Sequence, residues 1–342
     1  MAYTTIKKPS DYFNTILTAG GAQSITGVGF QPDLVWNKRR EDTSDHYIND
    51  AVRGATKILF TNQTVAEQTS ANFMSSFDSD GFTTGSGYWN SGASIVAWNW
   101  LASNTTASNT DGSITSTVSA NTTSGFSIVK YTGTASASTV GHGLGTIPSC
   151  YIVKNLSDTA GQSWNMYHHK LDSTPQDFTI FLNSTSAKSD EAVWNDTAPT
   201  SSVFSIGTAR KTNFSGDNYI AYCFAEKKGF SKFGSYTGNG STDGTFVYTG
   251  FKPAFVIRKN ANAVTDWRMD DNKRPGYNVI PYTLFPNLNN AETTSSGYYV
   301  DLLSNGFKVR GTSVNQNTSG QTYIYMAFAE EPLVGDNPAT AR

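Results

Sequence analysis

Three well-separated stretches of the chain alternate large and small residues with a period of two: Ser91 to Ala102, Ser215 to Glu226 and Ser319 to Glu330. One parity carries Val96, Trp98 and Trp100, then Ile220, Tyr222 and Phe224, then Ile324, Met326 and Phe328. The other parity carries Ala97 and Asn99, then Ala221, Cys223 and Ala225, then Ala327 and Ala329. Successive side chains on a strand point to opposite faces, so each stretch predicts a strand buried on both sides. Its bulky side faces a core, and its small side is closely approached by another layer. That is the pattern of a central strand in a two-sheet sandwich.

Further landmarks recur in the same order. A Pro stands six residues before a Lys across an apolar run in Pro32 to Lys38, Pro148 to Lys154 and Pro253 to Lys259. A Pro is tolerated where a strand begins, because its missing N–H costs least there. Gly125 to Gly133 and Gly229 to Gly238 share an opening pattern, of which Tyr12 to Gly20 is a degenerate form. Such self-similarity is the signature of repeated units. The chain therefore divides into a first β-sandwich repeat over 1–102, a linker over 103–124 and a second repeat over 125–226. A third repeat over 227–332 and a tail over 333–342 follow. The linker is rich in Ser, Thr and Asn, but Ser113 to Val118 alternates well enough for one exposed strand. Lys227-Lys228 is almost no junction at all, which implies a fixed relation between the second and third units. By their places in the alignment, Cys150 and Cys223 fall in different environments and are expected as two free thiols.

Composition supports an all-β reading. Ser, Thr and Asn make up about a third of the 342 residues, and there are only seven Glu. A net charge of −2 and no basic run longer than Lys38-Arg39-Arg40 offer no field for a phosphate backbone, so no nucleic-acid partner is expected. No apolar stretch approaches the roughly 20 residues that span a bilayer, so membrane insertion is not expected. The N-terminal residues Met1 to Asp11 lack the apolar segment of a signal peptide.

A search for chemistry ends without a catalytic set. His46 and His142 have no partner at ligand spacing, and His168-His169, on one strand, would face opposite ways. All four histidines read as surface or loop residues, and no metal site or cofactor is expected. No string of alternating carboxylates suits glycoside hydrolysis, no nucleophile elbow is present, and an enzyme is not expected. Lys38, Lys154 and Lys259 read as solvated strand ends. What remains is surface: Tyr88 and Trp89 in a Gly/Ser/Asn loop, and Trp194 in Ala-Val-Trp-Asn-Asp, stand as large aromatics in polar connecting sequence. Rings so placed are candidates for stacking on sugars, with neighbouring Asn and Asp bonding the hydroxyls; the alternative is that each plugs the end of its own sandwich.

Several strings resemble a family of repeat domains in virion proteins of tailed phages, particularly marine and cyanobacterial ones. They are residues 27–38, Ser76 to Phe82, Asn109 to Asn121, Gly125 to Gly133 and the terminal Thr340-Ala341-Arg342. The resemblance implies tandem concanavalin-like or jelly-roll sandwiches, assembly in the host cytoplasm and a place on the virion. It brings no catalytic residue. With the residues above, it gives the expectation of a tail fibre or surface appendage that adheres to host-surface polysaccharide. Other virion proteins and copies of itself are its expected partners, with a trimer as the first expectation. A capsid decoration, head fibre or structural adaptor with only protein–protein contacts is the alternative.

Overall fold

The computed structural model describes residues 4–87, 92–336 and 338–339. It is all-β, built from antiparallel sheets joined by turns and short helical turns. Three large sheets dominate. The first runs in spatial order Phe13–Ala19, Ser94–Trp100, Leu34–Arg39, Tyr47–Asp50, Lys57–Phe60 and Gln68–Thr69. The second contains Phe126–Thr132, Asn218–Phe224, Cys150–Asn155, Asn165–His168, Phe178–Phe181 and Ser189–Asp190 in the same succession. The third has Ser231–Thr237, Thr322–Pro332, Phe251–Asn260 and Arg268–Asp271. In all three the strand that opens the unit pairs with the strand that closes it, and the closing strand is then flanked by the one that follows or contains the Pro. Pro253 lies inside its strand, where the register shifts on either side of it, as expected of a residue that cannot donate to the ladder.

A smaller sheet covers one face of each large sheet. The covers are Ser24–Ile25 with Gly81–Thr84 and Met74–Asp78, Ser138–Gly141 with Val203–Ile206, and Phe246–Tyr248 with Gly306–Val309 and Val300–Leu303. The small parity of the closing strands faces these covers: Ala97, then Ala221 and Cys223, then Ala327 and Ala329 lie in three separate apolar clusters. Small side chains there let the two layers approach.

The bulky parity does something the repeat pattern did not predict. Trp98 and Trp100, Tyr222 and Phe224, and Met326 and Phe328 all enter one continuous core shared by the three large sheets. The three sandwiches are thus not beads on a string, each with a private interior on its bulky side. Rings from different sheets meet there, as where Phe13, Phe224 and Phe233 each lie within 6.0 Å of Phe328.

Polar groups stitch the seams between sheets. Tyr222 of the second sheet donates its hydroxyl to Asp50 Oδ2 of the first at 2.7 Å, and Arg53 binds the same oxygen at 2.5 Å and reaches Glu67 at 3.2 Å. The equivalent residue of the first sheet, Trp98, donates Nε1 to Asp271 of the third at 3.1 Å, where Arg274 and Glu292 complete the cluster at 2.6 and 2.9 Å. At the remaining seam Met326 of the third sheet meets Cys150 of the second at 3.9 Å, and Glu226 of the second unit accepts from Lys232 of the third at 2.7 Å. Both cysteines are free and buried. The aspartates and arginines of the two polar seams are fully or almost fully buried, where a charge is tolerated only when paired and hydrogen-bonded.

Three expectations change. Lys38, Lys154 and Lys259 are buried, not solvated. Lys154 Nζ donates to Thr64 O of the first unit at 2.6 Å, and Lys259 Nζ to Thr185 O of the second at 3.2 Å, so these ammonium groups fasten one unit to the previous one. Burial pushes Lys154 down to about 7 and Lys38 and Lys259 to about 8. Of the histidines, His46 and His142 stand in loops as read but are buried, and His168 is buried at the end of a strand. His168 donates to Tyr325 O at 3.1 Å while His169 donates to Phe233 O at 2.9 Å, and burial holds His168 down to about 3. Finally, the 103–124 segment carries two strands, Ala107–Asn109 and Ser116–Asn121, which extend the second sheet beyond its opening strand. Buried Asp33 anchors its start, accepting from the amides of Ala102 at 2.7 Å and Asn104 at 3.1 Å.

Candidate functional site: an aromatic face on the third sandwich

The sequence-predicted stacking residues do not come together. Tyr88 and Trp89 lie outside the described residues. Trp194 is fully buried in the second sandwich, its Nε1 donating to Phe178 O at 3.0 Å and its ring packed edge-on against Tyr151. It plugs its own sandwich, as the alternative reading had it, and offers no face to a sugar.

Exposed aromatic surface is found instead on the cover of the third sandwich. In Phe246–Tyr248 the middle residue, Val247, points inward against Phe307, so Phe246 and Tyr248 point outward side by side, 43% and 55% exposed. The partner strand places Lys308 opposite Phe246 and Gly306 opposite Tyr248. A Cβ at position 306 would lie 2.1 Å from Val247 O and 3.1 Å from Phe246 Cε2. Glycine is therefore required, and its bare backbone leaves room for the Phe246 ring beside it. On the third strand Asp301 sits opposite Lys308.

Charges border the rings. Lys308 Nζ contacts Asp243 at 2.5 Å, and Arg310 Nε is 3.7 Å from Asp301. The hydrogen bond from Lys308 holds the Asp243 carboxyl below its ordinary range. Donors and acceptors thus stand beside two exposed rings on an open sheet face. The corresponding cover of the first sandwich is dressed with hydroxyls, with Ser24 and Thr83 3.0 Å apart and Thr83 donating to Asp78 at 2.7 Å. Sequence reasoning missed this face because Phe246, Val247 and Tyr248 form an unbroken apolar run. The aromatic spacing of i and i+2 was the only signal.

A second feature is a polar groove of about 610 Å³ between the second and third sheets, lined in part by Ile147, His169, Lys170, Glu226 and Lys232. Glu226 pairs with Lys232 at 2.7 Å across it. Burial lowers the His169 pKa, which keeps the ring neutral near pH 7. Glu226, His169 and Lys232 are all engaged by one another or by backbone, and none is poised on an open reacting position. Among the described residues no group of three or more His, Cys, Asp or Glu side chains converges to hold a metal.

A family model described as Domain of unknown function (DUF7483) matches residues 8–332. No curated protein and no solved structure matches the chain.

Proposed function

The chain belongs to the DUF7483 family; we propose that it is a structural protein of a phage virion, a tail fibre or similar surface appendage that adheres to host-surface glycans. The single observation that carries the adhesion is the Phe246 and Tyr248 pair, two rings exposed on one sheet face with Asp243, Lys308, Asp301 and Arg310 around them. Ring faces of this kind stack on the apolar faces of sugars, while flanking charges bond the hydroxyls and give orientation. The resemblance of residues 27–38 and 109–121 to virion repeat domains supports the particle assignment. One such face binds weakly, and several copies on a particle raise overall binding through effective concentration.

The test is binding of purified chain to host-envelope polysaccharide on a glycan array. Wild type binds, and the double variant Phe246→Ala/Tyr248→Ala loses roughly tenfold or more in affinity, about 1.4 kcal/mol, with an unchanged circular dichroism spectrum. Absence of wild-type binding when the chain is presented at high valency would remove the adhesion reading and leave the purely architectural one.

A further inference from the structure

The layer beneath the cover of the third sandwich holds charge where its two counterparts do not. Arg258 and Arg268 stand directly opposite each other on neighbouring strands, and Asp270 lies opposite Val256 on the same face. The aligned lysines at 38, 154 and 259 identify the equivalent positions. In the first sheet they are Asn37, Tyr47 and Asn49, and in the second Val153, Asn165 and Tyr167. The architecture therefore closes without a charge at these places.

Both arginines and Asp270 are fully buried. Arg258 Nη2 donates to Asp270 Oδ2, whereas Arg268 Nη2 lies 3.9 Å from Asp270 Oδ1, too far for a hydrogen bond, and that oxygen accepts none. Among the described residues Asp270 is the only acidic partner of either guanidinium. Two like charges thus face each other across the ladder, an arrangement that destabilises a sheet, and one carboxylate serves both.

The donors agree with the charge. Nε and Nη1 of Arg258, and Nε, Nη1 and Nη2 of Arg268, find no acceptor in the protein. Rings lie nearby: the centre of Tyr298, on the partly exposed turn Ser296–Tyr298, is 3.7 Å from Arg268 Cζ and that of Phe285 is 5.2 Å away, while Phe307 is 5.7 Å from Arg258 Cζ. A ring attracts a cation through its face but gives the in-plane N–H groups no acceptor. Burial pushes Arg268 down to about 10, opposed by Asp270 and reinforced by Arg258, so the group stays charged near pH 7. An excess positive charge in such a layer is costly unless a counter-charge accompanies it.

We propose that Arg258 and Arg268 together hold a small monovalent anion of the chloride class inside the third sandwich. Charge sets the valence, because two guanidinium groups and one carboxylate leave a single positive charge. Burial sets the size, because a closed layer excludes phosphate, sulfate and the carboxylate of a sugar chain. A water molecule would satisfy the donors and leave the charge unbalanced. Taken up as the unit folds, the ion stabilises the folded chain by mass action.

The site is separate from the Phe246 and Tyr248 face. It is tested on the full chain by denaturant unfolding at constant ionic strength, with chloride replacing gluconate, an anion too large to enter. A rise in chloride of about a hundredfold should raise the folding equilibrium constant roughly tenfold or more. Arg268→Met should abolish that dependence, because Arg258 and Asp270 then neutralise each other, while Lys130→Met, in the second unit, should keep it. Crystals grown in bromide should show an anomalous peak in contact with nitrogens of both arginines, which reads the site even if Arg268→Met does not fold. Equal stability in chloride and gluconate, a chloride dependence retained in Arg268→Met, or bromide crystals without a peak at these nitrogens would overturn the proposal.

Discussion

The common core where the three large sheets meet and the three layers beneath the cover sheets are built from opposite faces of the same strands, yet they behave as different kinds of interior. Beneath the covers, each cluster draws on a single unit, and small residues such as Ala221 and Ala327 set the spacing. In the common core every unit contributes, and the polar groups that cross it, Tyr222 to Asp50 and Trp98 to Asp271, each join two units. The difference teaches where cooperativity resides. A cover stabilises its own sheet, whereas the shared core makes the folding of one unit depend on the others.

The largest test compares one tryptophan from each kind of interior. Trp98→Ala removes a fully buried ring from the shared core and strips Asp271 of a donor, and it should cost about 4 kcal/mol by the usual scale of large-to-small core changes. Native-state hydrogen exchange should then show lost protection in the first and third large sheets together. Trp194→Ala should cost about 3 kcal/mol, with the loss confined to the second sandwich. Equal spread of the two effects would abolish the distinction.

A smaller effect isolates the seam chemistry. Tyr222→Phe keeps the ring in the shared core and removes only the hydroxyl bonded to Asp50, leaving Arg53 to hold that carboxylate. Denaturant unfolding should show a loss of about 1.5 kcal/mol. A change near zero would mean that Arg53 alone satisfies Asp50.

A separate effect appears in the pH dependence. Lys154 is held down to about 7 from its ordinary 10.5 by burial, so between those values the unfolded chain binds more protons than the folded one. The lysine therefore imposes a cost that is full below about pH 7 and fades as pH rises toward 10.5. Wild type should gain stability relative to Lys154→Met across that window, read from denaturant midpoints. Parallel pH profiles would show that the carbonyls of Thr64 and Gln162 fully support the charged amine.

Much of the architecture was legible in the chain. The two parities of the closing strands predicted two buried faces, and the three aligned Pro to Lys runs marked equivalent strands. Their lysines were misread because a Lys at the end of an apolar run resembles a solvated terminus. Carbonyls of the neighbouring unit, Thr64 and Thr185, join those of their own unit, Gln162 and Ala263, around Lys154 and Lys259. The aromatic site was hidden for a related reason. Trp194 stands in polar loop sequence but folds inward, while Phe246 and Tyr248 sit in apolar sequence but face out, because the cover sheet has no layer beyond it.

Local alternation and composition by themselves determined that this protein is all-β, which strand positions repeat, and which residues of each closing strand share a face. A period of two is a property of the extended backbone and needs no partner to be read. Tertiary structure alone decided what each face meets. The bulky faces turn to one another around a common core, the 103–124 segment covers the opening edge of the second sheet, and Phe246 and Tyr248 stand exposed together on a cover sheet. The common core depends on contacts between residues more than a hundred positions apart, such as Tyr222 with Asp50 and Trp98 with Asp271, for which the chain carries no local pattern.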